Sequence, residues 1–147
     1  MAKILVLSGP NLHLLGTREP DIYGRTTLDE IHALVAADAK EGGHSLTARQ
    51  SNHEGELVDW IGEASDEFDG ILLNPAALAH SSVAICDAVA SISIPTVEVH
   101  LTNVFGREEF RRKLVIAASV KGVITGFGPE SYRLGLRALL QIIAEAK

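Results

Sequence analysis

The residues that could do chemistry begin with Arg18 and Tyr23. They share one stretch, Gly9 to Gly24, with Asn11 ahead of them, punctuated by Gly9, Pro10, Gly16, Pro20 and Gly24. It follows an apolar strand pattern ending at Ser8 and precedes a helical pattern, and it exceeds the usual strand-to-helix connection of about 2–6 residues. Such long loops serve as lids or binding loops. A tyrosine beside an arginine there is a candidate base. Further along, Asn74 and His80 follow a second apolar run, and Glu98 and His100 close a third. Arg107 and Arg111 are spaced to share a face if that segment is helical, a geometry suited to an anion.

The elements that must position these groups alternate. Strand patterns run Ile4–Leu7, His44–Gln50, Gly70–Asn74, Pro95–Val99 and Gly122–Thr125. Helical patterns lie between and after them. Thr27-Leu28-Asp29-Glu30 has capping-box spacing, with Leu28, Ile31, Leu34 and Val35 on one face, and Gly42-Gly43 ends the helix. Leu57, Trp60, Ile61, Ala64 and Phe68 recur helically. Ser81 or Ser82 caps a helix reaching Ile92, Arg107 to about Leu114 forms a short helical turn, and Pro129 opens a last amphipathic helix carrying Tyr132, Leu136, Leu139, Leu140 and Ile143. Alternating strands and helices imply right-handed βαβ units, and runs such as Ile71-Leu72-Leu73 fit burial on both faces of a parallel sheet. Five strands favour a flavodoxin-like, doubly wound α/β/α sandwich with strand order 2-1-3-4-5. Its ligands bind beyond the carboxyl ends of the strands where the order reverses, which is where Asn11, Asn74, His80 and His100 should converge.

Plainer readings stand beside these. By itself, His100 equally fits an imidazole hydrogen-bonded at a strand end, and His80 reads better as the neighbour of a helix cap. Arg107, Arg111 and Arg112 with Glu108 and Glu109 also fit a solvated charged patch; the nearby cleft favours the anion site for Arg107 and Arg111, and the patch for Arg112. His13, His32, His44 and His53 read as structural or surface residues. Cys86, the lone cysteine, reads as a small core residue. No pair of histidines has ligand spacing on one element and there is no acidic cluster, which argues against a metal. The first loop matches neither a P-loop nor a Rossmann fingerprint.

The 147 residues fit one domain, with about 9–25 as its lid, and the 46% hydrophobic content supplies a full core. A net charge of −6 without a basic run argues against nucleic acid and anionic membrane as partners. The absence of a signal pattern or membrane-length apolar run, together with one cysteine, points to the cytoplasm. A flavodoxin-like module for FMN or a phosphate ligand, an inactive relative kept for assembly, and a lyase or hydrolase of another small carboxylate stay open on these residues.

Taken together, the motifs resemble the type II dehydroquinases (type II 3-dehydroquinate dehydratases). They are Gly9-Pro10-Asn11-Leu12, Leu15-Gly16 with Arg18-Glu19-Pro20 and Tyr23-Gly24, Gln50-Ser51-Asn52, Asn74-Pro75, His80-Ser81-Ser82-Val83-Ala84, Asp87-Ala88, Glu98-Val99-His100-Leu101-Thr102-Asn103, Arg107 to Arg111, and Gly122 to Gly128. The resemblance implies trans-elimination of water from 3-dehydroquinate to 3-dehydroshikimate without metal or organic cofactor, and a homo-oligomer, usually a dodecamer of four trimers. It implies Tyr23 as general base, Arg18 as the lid arginine that keeps it ionisable, Asn11 with a water steadying the enolate, and His100, oriented by Glu98, as general acid. Asn74, His80 and Arg111 would grip substrate hydroxyls, and the amides of Leu101 and Thr102 would hold the carboxylate. Arg107 would be a second arginine near the tyrosine, and Asp87 the residue lent by a neighbouring subunit. Ala76-Ala77, Ser81, Cys86 and Phe105-Gly106 depart from the usual pattern without touching a proton-transfer position. The pairing of arginines has a physical reason: making a phenol a base at neutral pH takes about 4 kcal/mol in favour of its charged form, which two guanidinium groups in a partly desolvated cleft can supply.

Overall fold

The computed structural model describes all 147 residues, Met1–Lys147. In chain order the elements are β1 (Lys3–Ser8), α1 (Pro20–Tyr23), α2 (Leu28–Glu41), β2 (Ser45–Gln50), α3 (Glu54–Glu63), β3 (Gly70–Asn74), α4 (Val83–Ser91), β4 (Thr96–His100), β5 (Gly122–Thr125) and α5 (Glu130–Glu145). The strands form one parallel sheet in the order β2-β1-β3-β4-β5. This is the flavodoxin-like, doubly wound arrangement that the alternating pattern predicts.

The pleat sorts the side chains of each inner strand to two cores. Ile4, Val6, Leu72, Val97 and Val99 face a core shared with α2 and α5, while Leu5, Leu7, Ile71 and Leu73 face one shared with α3 and α4. Burial on both faces explains why β1 and β3 read as unbroken apolar runs. Thr27 caps α2 in a full capping box with Glu30, and Ser82 rather than Ser81 caps α4 by accepting from the Ile85 N–H. The helical pattern around Leu57–Phe68 resolves into α3 followed by a 3-10 turn, Ala64–Asp66.

One expected element is different. Between Arg107 and Leu114 only Glu109–Arg111 forms a 3-10 turn, and Arg107 is extended at φ −104°, ψ −162°. The segment lacks the apolar face that would hold a helix, so the spacing of Arg107 and Arg111 does not place them on one helical face. The long first loop, by contrast, acquires structure: a 3-10 turn at Leu12–Leu14, and α1, which carries Tyr23 at its end.

At the switch point the strand ends are level, with Ser8 paired to Asn74 in register. The loops beyond them touch. The Gly9 N–H donates to the Asn74 carbonyl at 2.8 Å, and a Cβ on Gly9 would stand 2.6 Å from the Pro75 carbonyl oxygen, closer than a side chain can come. Gly9 is thus what lets the loops after β1 and β3 form one wall.

Candidate active site

A cleft of about 570 Å³, counted to its open mouth, lies at this switch point. Its walls come from the first loop (Pro10, Asn11, Leu12, Arg18, Tyr23), the end of β3 and the turn after it (Asn74, Ala76, Ala77, His80), and the end of β4 and its following loop (His100, Leu101, Thr102, Val104, Arg107, Arg111). Eleven side chains singled out from the sequence as site residues lie in or immediately behind it: ten line it and Glu98 stands under His100.

Tyr23 sits between two guanidinium groups. Arg107 donates from Nη1 to the Tyr23 hydroxyl oxygen at 3.1 Å and reaches Thr102 Oγ1 at 3.4 Å. The Arg18 Cζ lies 4.9 Å from the ring centroid, against the ring rather than hydrogen-bonded to the oxygen, and Arg18 also pairs with Glu19 at 3.7 Å. Both contacts are cation–π arrangements, since the Arg107 Cζ is 5.2 Å from the same centroid. The phenolic oxygen therefore faces positive charge and an N–H donor, with no carboxylate hydrogen-bonded to it.

His100 is supported from beneath. β4 alternation puts Thr96, Glu98 and His100 on one side, and the His100 Nε2 donates to Glu98 Oε2 at 2.5 Å. Glu98 is fully buried and its other oxygen, Oε1, has no partner. Removing a carboxylate from water is expensive, and the hydrogen bond from His100 is the one partner this carboxylate has. With Nε2 engaged below, Nδ1 is the free nitrogen of His100. The His80 ring is stacked at 6.5 Å from that of His100. Its Nδ1 donates to the Lys113 carbonyl at 2.9 Å, because a carbonyl can only accept, and this leaves Nε2 as the free ring nitrogen.

The remaining walls are donors. Neither the Leu101 nor the Thr102 N–H is used by another group of the protein, and both residues line the cleft beyond β4. Asn11 adopts a left-handed conformation, φ 69°, and its N–H donates to Asn52 Oδ1 at 3.0 Å. Arg111 lines the cleft but also pairs through Nε with Glu108 at 2.5 Å, so the charged-patch reading holds for part of that cluster. That hydrogen bond holds the Glu108 carboxyl below the usual glutamate range. Asp87 is the one site candidate set apart: it is exposed on α4 and lines no part of the cleft.

Comparison with known proteins decides the family. Residues 2–140 match the model of the class II dehydroquinases. The chain is 54% identical over 144 residues to a 3-dehydroquinate dehydratase of Sinorhizobium medicae, covering 98% of this chain and 97% of that one. The chain belongs to the class II dehydroquinase family. Solved dehydroquinases agree in shape as well as sequence. A type II dehydroquinase from Propionibacterium acnes superposes with a TM-score of 0.92 at 42% identity, covering 96% of this chain and 97% of that one. One from Butyrivibrio crossotus gives 0.93 at 42% identity, with 95% and 97% covered.

Two polar residues behind the cleft escaped the sequence reading. Tyr132, read as a core position of α5, and Ser8, read as the end of β1, are fully buried behind Asn74 and hydrogen-bonded to each other at 2.8 Å. The available signal was chemical: a hydroxyl in an apolar stripe must find a partner when buried.

Proposed function

We propose that the cleft removes water from 3-dehydroquinate with Tyr23 as general base and His100 as general acid, through an enolate. As a class II dehydroquinase the chain is a 3-dehydroquinate dehydratase; the assignment of steps to residues is the proposal. The observation that carries it is the pairing of Tyr23, held by Arg107 at 3.1 Å, with His100, backed by buried Glu98, across one cleft.

The order of events follows from the chemistry. A C–H beside a ketone is weakly acidic, so its proton needs a strong base and the enolate oxygen needs donors already in place. The Tyr23 phenolate, steadied by Arg107 and Arg18, takes the proton. The C–H electron pair becomes the enolate, which Asn11 and a bound water hold. Collapse of the enolate forms the ring double bond and breaks the C–O bond to the departing hydroxyl, which leaves as water with a proton from His100. Tyr23 then gives its proton to solvent and His100 takes one back, which restores both groups for the next turnover. Asn74, His80 and Arg111 hold the ring hydroxyls, and the free N–H groups of Leu101 and Thr102 hold the carboxylate. The first loop, about 9–25, closes Arg18 and Tyr23 onto the substrate and expels water.

The site is completed by a neighbour. Asp87 is exposed beside no cleft of its own, and Val83, one helical turn before it, is 60% exposed, as expected of a face that meets another subunit. We place Asp87 at a neighbour's site in a homo-oligomer built of trimers, a dodecamer of four. No helix is long and apolar enough to cross a membrane, and the cytoplasm is the compartment proposed.

The test is direct. Adding 3-dehydroquinate should produce the ultraviolet absorbance of a conjugated enone. EDTA should leave the rate unchanged and borohydride should trap no imine. Loss of activity with EDTA, or inactivation by borohydride with substrate present, overturns the mechanism.

A further inference from the structure

Behind the cleft wall lies a hydrogen-bonded chain that meets the reaction above only at Asn74. It starts at Asn74, whose side chain is spoken for at both ends. Its Nδ2 donates to the Tyr132 hydroxyl at 3.1 Å, and its Oδ1 accepts from the Ala76 N–H at 3.1 Å. Tyr132 and Ser8 share a further hydrogen bond at 2.8 Å, and Ser8 Oγ lies 3.4 Å from His32 Nε2. The direction of this chain is fixed by chemistry. An amide NH₂ can only donate, so the Tyr132 oxygen accepts from Asn74 and its own proton goes to Ser8. Ser8 in turn lies within reach of His32 Nε2 at the far end. Burial pushes the Tyr132 phenol up to about 12, so the hydroxyl keeps its proton wherever the enzyme works. Burial likewise keeps the His32 imidazole below its usual value despite Asp29.

We infer that Tyr132, set by Ser8, is a positioning residue that fixes which way the Asn74 amide faces and thereby which of its atoms meets the substrate. Tyr132 lines no part of the cleft. It works through Asn74. An amide can rotate by half a turn at little steric cost, which would exchange its donor and acceptor at the substrate. Here the rotated form would aim Oδ1 at the Tyr132 oxygen and the NH₂ at the Ala76 N–H, a donor facing a donor. Ala76 makes that second end exacting, since it stands at φ 53°, a left-handed conformation uncommon for a residue with a side chain.

The inference rests on the reading of Asn74 as a ligand of a substrate hydroxyl, and the experiment separates the two. KM and kcat for 3-dehydroquinate are measured for Tyr132→Phe, Ser8→Ala, Asn74→Ala and the double variant Tyr132→Phe/Asn74→Ala. Removing the Tyr132 oxygen takes away one of the two contacts that set the Asn74 amide and leaves the Ala76 N–H to hold it alone. Removing the Ser8 oxygen leaves the Tyr132 proton only Asn74 Oδ1 to seek, which favours the rotated amide. Each single change at Tyr132 or Ser8 should raise KM about 10-fold, one hydrogen bond's worth, with kcat within about 3-fold, because the contact is made equally before and in the transition state. In the Asn74→Ala background, Tyr132→Phe should add nothing. A KM unchanged by both Tyr132→Phe and Ser8→Ala, or a Tyr132→Phe effect equally large with and without Asn74, overturns the positioning role; the second result would mean general loosening of the wall. If Tyr132→Phe fails to fold, Ser8→Ala and its double variant with Asn74→Ala decide in the same way. An Asn74→Ala enzyme with the original KM would instead overturn the Asn74 contact itself, and the positioning role with it.

Discussion

Two cations against one phenol are the heart of the site, and they are not equivalent. Arg107 donates to the oxygen of Tyr23 and belongs to the β4 side of the cleft, whereas Arg18 lies against the ring and travels on the same loop as Tyr23. In the proposed mechanism Arg18 joins the reaction only as that loop packs onto the substrate. Arg18→Ala should lower kcat at least about 100-fold, the low end of what proton-transfer assistance supplies, while changing the binding of a substrate analogue less than about 10-fold. Equal losses in both would make Arg18 a binding residue. At this scale much was legible in the sequence. Tyr23, Arg18, Asn11, Asn74, His80 and His100 are polar residues placed where a doubly wound sheet exposes its strand ends, so type and position together pointed to them. The Tyr132–Ser8 pair was not legible, because nothing local links positions 8, 74 and 132. Strand pairing sets Ser8 level with Asn74, and only the packing of α5 on the sheet brings Tyr132 to both.

The elements serve the site by fixing levels and distances. α5 lies close on the sheet at Gly135, where a Cβ would come 2.4 Å from Val99 Cγ1 and 2.7 Å from Leu72 Cδ1. This contact sets how deep Tyr132, on the preceding turn, reaches toward Asn74. Alanine normally stabilises a helix interior over glycine by about 0.5–1 kcal/mol, but here overpacking of about 1–3 kcal/mol opposes it. Gly135→Ala should lower stability by about 1–2 kcal/mol, read as a lower urea midpoint at unchanged slope; a raised midpoint would show that α5 has room to shift. The sheet order followed from the pattern because β1, β3 and β4 are buried on both faces and β2 and β5 are partly exposed edges. The Arg107–Leu114 segment misled for the opposite reason. Charges spaced four apart are compatible with a helix, but without an apolar stripe to bury they do not create one, and Arg107 reaches the cleft from extended backbone instead.

For the whole molecule, the proposed sharing of Asp87 makes activity a property of the assembly. Asp87→Ala subunits keep His100, and His100→Ala subunits keep Asp87. Mixing the two inactive proteins under conditions that exchange subunits should rebuild about one site in four by random pairing across a shared interface, measured as returned turnover against each variant alone. Mixed oligomers without recovery would place Asp87 outside the chemistry. This scale was the least legible in the sequence. An exposed acid on a helix looks the same whether it meets water or a partner's substrate, and only the resemblance to the dehydroquinases gave Asp87 a role.

All these scales depend on the Tyr23 oxygen taking the proton. Tyr23→Phe removes that oxygen and keeps the ring between Arg18 and Arg107. The deciding measurement is kcat of Tyr23→Phe on 3-dehydroquinate, followed by enone absorbance, alongside the binding of a non-reacting substrate analogue. The account predicts turnover lower by about 1,000-fold or more, in the range that a lost general base costs, with analogue binding changed only a few-fold. A phenylalanine enzyme that turns over at a near-normal rate would contradict it.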